Sequence, residues 1–335
     1  MQAAIYAPAG PGLTSDEQSF FREADPAGFI VFRRNCETRE QLRRLTDSLR
    51  EISGRGDLPI LIDQEGGRVA RMKPPEWPAF PAAERFAQLY RLAPSSAIEA
   101  ARANARAIAL MLRDVGINVD ALPLLDVRQA GASDIIGDRA LGSEPMQVAA
   151  LGRAVLDGMA SAGVVGIVKH IPGHGRALVD SHKELPLVTA SAEELEIDLE
   201  PFERLSSAPM GMMAHVVYTA WDAERPASMS PTVIREIVRE RIGFDGWLMS
   251  DDIGMEALQG DFGSRAAGVV AAGCDAALHC SGKMDEMLAV AAAVPRMSAE
   301  GEARLARAMA GIDAQKDDPD FAKSIATRDA LLALA

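Results

Sequence analysis

Short apolar runs recur along the chain at residues 3–7, 28–33, 59–63, 118–125, 166–170, 211–215, 246–250 and 275–280. Each has the length and composition of a buried β-strand. Between them lie amphipathic stretches, among them 39–52, 96–115, 145–162, 232–241 and 264–272, that predict helices. In 96–115, for example, Ile98, Ala101, Ala105, Ile108, Leu112 and Val115 fall on one helical face. Eight strands with intervening helices point to an α/β protein of the (β/α)8 TIM-barrel type. A doubly wound open sheet fits the same alternation, and periodicity alone does not separate the two. Two more helical stretches, 299–312 and 320–334, follow the last strand. There is no solenoid-period repeat and no low-complexity linker. A chain of 335 residues suits one barrel, a fold of roughly 250 residues or more, so residues 1–335 are expected to form a single domain with C-terminal helices.

Bulk composition narrows the partners. Hydrophobic residues make up 48% and charged residues 25%, ordinary for a soluble globular protein. The net charge of −13 speaks against nucleic-acid and anionic-membrane partners, both of which need basic patches. No apolar run approaches the ~20 residues that span a bilayer, and the first residues lack a basic, then apolar, leader pattern. Three cysteines, Cys36, Cys274 and Cys280, are too few for a disulfide framework or a zinc site. Cys274 and Cys280 read as small apolar fillers. The expectation is a cytoplasmic monomer acting on a small molecule.

Candidate chemistry is concentrated in two segments. Lys169, His170, His174, Asp180 and His182 lie within fourteen residues that hold three of the five histidines. Gly166, Ile167 and Val168 before them read as a strand, while Pro172, Gly173 and Gly175 forbid a regular element afterwards. The segment is therefore a strand end continued by a long loop, a common site for titratable catalytic groups. A polar turn-forming loop is the plainer reading. His170 and His174 have the i, i+4 spacing of a helical zinc pair, but Pro172 and Gly173 between them remove the helix, so no metal is expected. The stretch also lacks the Walker pattern of a nucleotide cradle. In the second segment an apolar strand, 246–250, ends in Ser250, Asp251 and Asp252. Both aspartates there are also good helix-capping chemistry.

Together these segments resemble the bacterial β-N-acetylhexosaminidases of glycoside hydrolase family 3. The first matches that family's Lys-His-(Phe/Ile)-Pro-Gly-His-Gly loop with its later Asp-Ser-His, and the second its nucleophile signature. Three further stretches agree in order: 62–71 (Ile-Asp-Gln-Glu-Gly-Gly-Arg-Val-Ala-Arg), 136–139 (Ile-Gly-Asp-Arg) and 226–231 (Pro-Ala-Ser-Met-Ser-Pro). The resemblance runs from about residue 28 to 280 and implies the barrel. It also implies that Asp251 is the nucleophile and that His182, paired with Asp180, is the acid/base. Histidine suits that work because its ordinary pKa of ~6.5 lies near neutrality. By the same resemblance Asp63, Arg71, Arg139, Lys169 and His170 hold the sugar. Glu65 and Arg68 belong to the same motif and are read as pairing with each other. His174 is read as supporting the loop, and the role of His215 stays open. Leu141, where an aromatic is usual, and the stretch 72–77 depart from the family near the expected sugar rim.

What the resemblance implies is a retaining exo-β-N-acetylglucosaminidase of cell-wall recycling that needs no cofactor. Its expected substrate is a muropeptide fragment, N-acetylglucosamine linked β-1,4 to 1,6-anhydro-N-acetylmuramic acid. A phosphorylase of the same family and a catalytically silent sugar-binding barrel are the alternatives. The loop 171–186, with its early glycines and proline, is expected to close over the ligand.

Overall fold

The computed structural model describes residues 1–179, 181, 184–310 and 320–335. Eight strands, Gln2–Tyr6, Pro26–Val31, Ile60–Ile62, Val119–Asp120, Val165–Ile171, Met210–Met213, Trp247–Asp252 and Ala276–His279, are parallel and form a closed barrel. Each pairs with the next, and the first pairs with the eighth through Ala4 with Ala277 and Ile5 with Leu278. Closure decides between the two architectures the periodicity allowed, since an open sheet would leave both edge strands unpaired. Strand residues are buried almost throughout. Their inner side chains fill the barrel, and their outer ones are covered by helices.

The helices form where caps and apolar faces coincide. Arg39–Ser53 is capped by Thr38, which accepts from the Gln41 N–H, and it ends at Gly54 with φ 68°. Pro94–Asp114 has proline in its first turn and an alanine-rich face. That face lets Pro145–Ala160 approach so closely that a Cβ on Gly158 would lie 2.3 Å from the Arg102 carbonyl. Phe321–Leu332 packs on the other side, with Arg328 donating to Asn104 at 3.3 Å. Ala299–Met309 is pinned to the barrel floor by Arg304, 3.2 Å from Asp275 at the entry to the eighth strand. No helix among the described residues is long and apolar enough to cross a membrane.

Several elements differ from the sequence reading. The expected strand 118–125 shrinks to Val119–Asp120, because Pro123 brings no N–H to the ladder. The chain beyond it still follows the fifth strand, with the Leu125 N–H donating to the Lys169 carbonyl at 2.7 Å. Val233–Arg241 coils in wide π-type turns. Helices Ser15–Ala24, Ala83–Leu92 and Ala192–Arg204 add to those singled out, as does a two-stranded pair, Leu187–Val188 with Val217–Tyr218. The last helices are shorter than expected, and residues 311–312 of the predicted 299–312 lie outside the described residues.

Candidate active site

The C-terminal ends of the strands converge on a cavity of about 260 Å³. Asp63 follows the third strand, Lys169 and His170 lie in the fifth, and Asp251 lies in the seventh. The loops after the third and fourth strands bring in Arg71 and Arg139. All six line this one cavity. Asp180 and His182 lie outside the described residues. Ser181 between them is described and faces the same cavity, its Oγ 3.2 Å from His174 Nε2.

One wall of the cavity is a chain of charges. The Lys169 ammonium, 2% exposed, sits 3.1 Å from Asp63 Oδ1 and 2.7 Å from Glu65 Oε1. Asp63 Oδ2 accepts from Arg71 at 2.9 Å. Arg139 grips Glu65 with two N–H groups, each at 2.8 Å, the bidentate geometry that favours arginine over lysine. Burial pushes the Asp63 carboxyl up, but Lys169 and Arg71 more than offset it and hold it well below the usual carboxylate range. Glu65 is likewise lowered, burial being outweighed by Lys169 and Arg139. Lys169 is raised: its burial is outweighed by the two carboxylates. Both acids are therefore anions at neutral pH and present oxygens that can accept sugar hydroxyls.

Asp251 lines the same cavity from the seventh strand. Its Oδ1 accepts from the Asp252 N–H at 2.8 Å. Burial raises its pKa, while His170, His215 and that N–H outweigh burial and hold the carboxyl below its ordinary value. It is a carboxylate at neutral pH. Asp252 serves the backbone instead, accepting from the N–H of Gly254 at 2.9 Å and of Cys280 at 3.2 Å. Burial pushes it up to about 6, and its anionic neighbour Asp251 adds to the rise. Neither aspartate caps the following helix: Phe262–Ala272 starts ten residues after Asp252 and takes its cap from Asp261.

The histidines divide by their partners. His170 Nδ1 is 2.8 Å from Asp126 Oδ2, so Nδ1–H donates and Nε2 is left for the cavity. His174 is buried and pushed down to about 4 by burial and by His170, so it is neutral. It lines the cavity as well as supporting the loop. The two rings lie edge to face with centroids 5.7 Å apart, on a strand and a loop. His215 is fully engaged: Nδ1 accepts from Ser228 at 2.7 Å, and Nε2–H donates to the Asp252 carbonyl at 3.1 Å. It braces the seventh strand.

Several expectations are corrected. Glu65 and Arg68 do not pair with each other: Glu65 takes Arg139 and Lys169, while Arg68 reaches Asp138 at 2.7 Å. Leu141 and Trp77 are buried in the core at 4% and 1% exposure, and neither lines the cavity. Cys280 is more than a filler, since it lines the cavity beside Asp252. The cavity also holds residues not expected there, among them Phe32, whose ring lies 5.1 Å from both the Arg34 and Arg71 guanidinium carbons. Beneath it Asp120 and Asp126 are fully buried. Asp126 had a readable signal: it ends the apolar run 118–125 as Asp63 and Asp251 end theirs.

Known proteins share this sequence pattern and this fold. Residues 12–313 match the model of the glycosyl hydrolase family 3 N-terminal domain. A β-hexosaminidase of Methylococcus capsulatus is 36% identical over 329 residues, 97% of this chain and 93% of the relative. One of Bordetella avium is 37% identical over 278 residues, covering 82% and 79% of the two chains. In the solved structures, NagZ from Neisseria gonorrhoeae in complex with N-trifluoroacetyl-D-glucosamine superposes with a TM-score of 0.87 at 32% identity. That match covers 99% of this chain and 98% of the other.

Proposed function

This chain belongs to glycosyl hydrolase family 3 and is a β-hexosaminidase by its relatives, and from that premise we propose a retaining exo-β-N-acetylglucosaminidase acting on cell-wall fragments. The substrate we assign is N-acetylglucosamine β-1,4-linked to 1,6-anhydro-N-acetylmuramic acid, with or without its peptide. The observation that carries the reading is the Asp251 carboxylate, held as an anion at a strand end in the same cavity as the Asp63, Glu65, Lys169, Arg71 and Arg139 charges. The cavity is at the small end of ligand sites, ~300–1,000 Å³, which suits one sugar ring at the non-reducing end. The Neisseria relative holds an N-acylated glucosamine, which supports the sugar class.

In this mechanism an Asp251 oxygen attacks the anomeric carbon as the glycosidic oxygen departs with a proton from His182. A glycosyl ester forms. Water then gives a proton back to His182, its oxygen attacks the same carbon, and the Asp251 carboxylate is released. Asp180 steadies the imidazolium, as carboxylates do in other acid–histidine pairs. Asp63, Lys169 and Arg71 hold the ring hydroxyls through both steps. Binding alone requires neither Asp251 nor the Asp180–His182 pair, which disfavours a silent barrel.

The test is trapping with a 2-acetamido-5-fluoro-glycosyl fluoride. Intact-mass analysis should show one added sugar, mapping to the peptide containing Asp251. Label on Asp252 or Asp180 defeats the assignment. Phosphorolysis is the second reading, since a histidine that has given up its proton repels phosphate less than a carboxylate does. It needs a cation at the rim. Arg176 is instead committed to Asp198 at 2.5 Å and to the Glu194 carbonyl at 2.7 Å, and Lys169 to two carboxylates. Hydrolysis is therefore the expected outcome at millimolar phosphate, read by phosphorus NMR as the near-absence of sugar 1-phosphate.

A further inference from the structure

Asp126 is a buried carboxylate next to the cavity with three hydrogen-bond partners, and nothing in the mechanism above employs it. It has 0% exposure and comes from the segment after the fourth strand. Oδ2 takes the His170 ring at 2.8 Å. Oδ1 accepts two backbone N–H groups, from His170 at 3.2 Å and from His174 at 2.7 Å. The three donors bind the ring and the backbone of one residue and the start of the loop that leads to His182. They outweigh burial and keep Asp126 ionised, well below the usual carboxylate range.

An ionised carboxylate only accepts hydrogen bonds. With Oδ2 against Nδ1, that nitrogen carries a proton, and whenever the ring holds a single proton Nε2 is the bare nitrogen. The second-partner bond of a histidine sets which ring nitrogen does the work on the other side. Here that other side is the cavity, shared with Asp251, Asp63 and Lys169. Two backbone bonds to Oδ1 stop the carboxylate from rotating, so the choice is built into the fold.

We infer that Asp126 is a positioning residue that fixes the tautomer of His170, so that Nε2 meets the bound sugar as a hydrogen-bond acceptor for a ring hydroxyl. The inference rests on the glycosidase reading for its substrate, but the tautomer is a property of the free protein.

Asp126→Asn is the informative substitution. The amide oxygen can keep the two backbone bonds, while the amide N–H₂ now faces Nδ1 and demands an acceptor there. The proton moves to Nε2. In long-range proton–nitrogen NMR of histidine-labelled protein, with His170→Ala supplying the assignment, His170 should carry its proton on Nδ1 in the wild type and on Nε2 in Asp126→Asn. With an aryl β-N-acetylglucosaminide, kcat/KM should fall roughly 10- to 100-fold. Against the 3-deoxy or 4-deoxy analogue, whichever lacks the hydroxyl that Nε2 meets, the same substitution should cost little. In the His170→Ala background it should be nearly silent.

A wild-type proton on Nε2, or one that stays on Nδ1 in Asp126→Asn, overturns the inference. So do losses that multiply independently in the double variant. A wild-type protein that cleaves none of these glycosides defeats the parent reading instead, and leaves the NMR result to decide the tautomer. The wild-type spectrum decides it even where Asp126→Asn folds poorly.

Discussion

Replacing Lys169 with methionine removes a cation that two buried carboxylates share and keeps the apolar stem. Deleting one partner of a buried ion pair costs ~3–5 kcal/mol, because the partner is left charged and uncompensated. Asp63 keeps Arg71 at 2.9 Å, and Glu65 keeps the double contact from Arg139. Neither anion is stranded, so the expected loss lies at the low end, about 3 kcal/mol. The pH dependence makes the cause visible. Asp63 and Glu65 have folded pKa values below their ordinary 3.8 and 4.5. Their contribution is therefore present above those values and is lost as pH falls below them. In Lys169→Met both folded values rise, so the variant binds protons sooner and loses less on acidification. The gap between the two proteins should be full at pH 7 and narrow only as pH falls below about 4, toward the lowered folded values. Urea unfolding followed by circular dichroism at pH 7, 5 and 3 measures it. A gap below ~1 kcal/mol at pH 7, or one of equal size at pH 3, refutes the idea that Lys169 stabilises through these two anions.

Other substitutions probe separate parts of the site. Asp251→Ala should lower kcat/KM on an aryl β-N-acetylglucosaminide by at least ~10³-fold, with far-ultraviolet dichroism unchanged. His182→Ala should slow cleavage of the natural disaccharide far more than glycosylation from an activated aryl glycoside, whose departure needs little protonation. Equal losses on the two substrates remove His182 from the acid's role. Gly175→Ala drives a Cβ to within 2.0 Å of the Val127 carbonyl. It should destabilise the protein by about 1–3 kcal/mol, seen as a lower melting temperature together with a reduced kcat.

The eight strands were legible because each is a short apolar run closed by turn residues, whereas Asp251 was singled out as the expected nucleophile by the family resemblance of its segment and not by the Ser-Asp-Asp pattern, which reads equally as capping. Barrel closure was not legible, since an edge strand and a closing strand carry the same pattern. The helix Ser15–Ala24 was readable in principle: Thr14 and Glu17 form a complete capping box. Pro123 likewise marks the early end of the fourth strand. Partner choice was hidden. Glu65 and Arg68 are three residues apart and opposite in charge, so proximity in sequence suggested a pair. The turn around Gly66 and Gly67, with φ 97° and 55°, sends them in different directions instead. Leu141 and Trp77 could be placed only by family position, which does not say whether a side chain turns inward.

The cross-pairing of two adjacent residues with two others has a consequence for how such a protein can change. Asp138 and Arg139 reach across to Arg68 and Glu65 respectively, so the loops after the third and fourth strands are read as one unit. The Arg68–Asp138 pair is largely exposed and forgiving. Glu65 and Arg139 are little exposed, and a graft of either loop alone into a relative with a different partner would leave an unmatched charge in the cavity wall. Chimeras that exchange 63–72 and 126–142 together should retain activity where single exchanges lose it. Moved between proteins in the laboratory, these two stretches must travel as a pair.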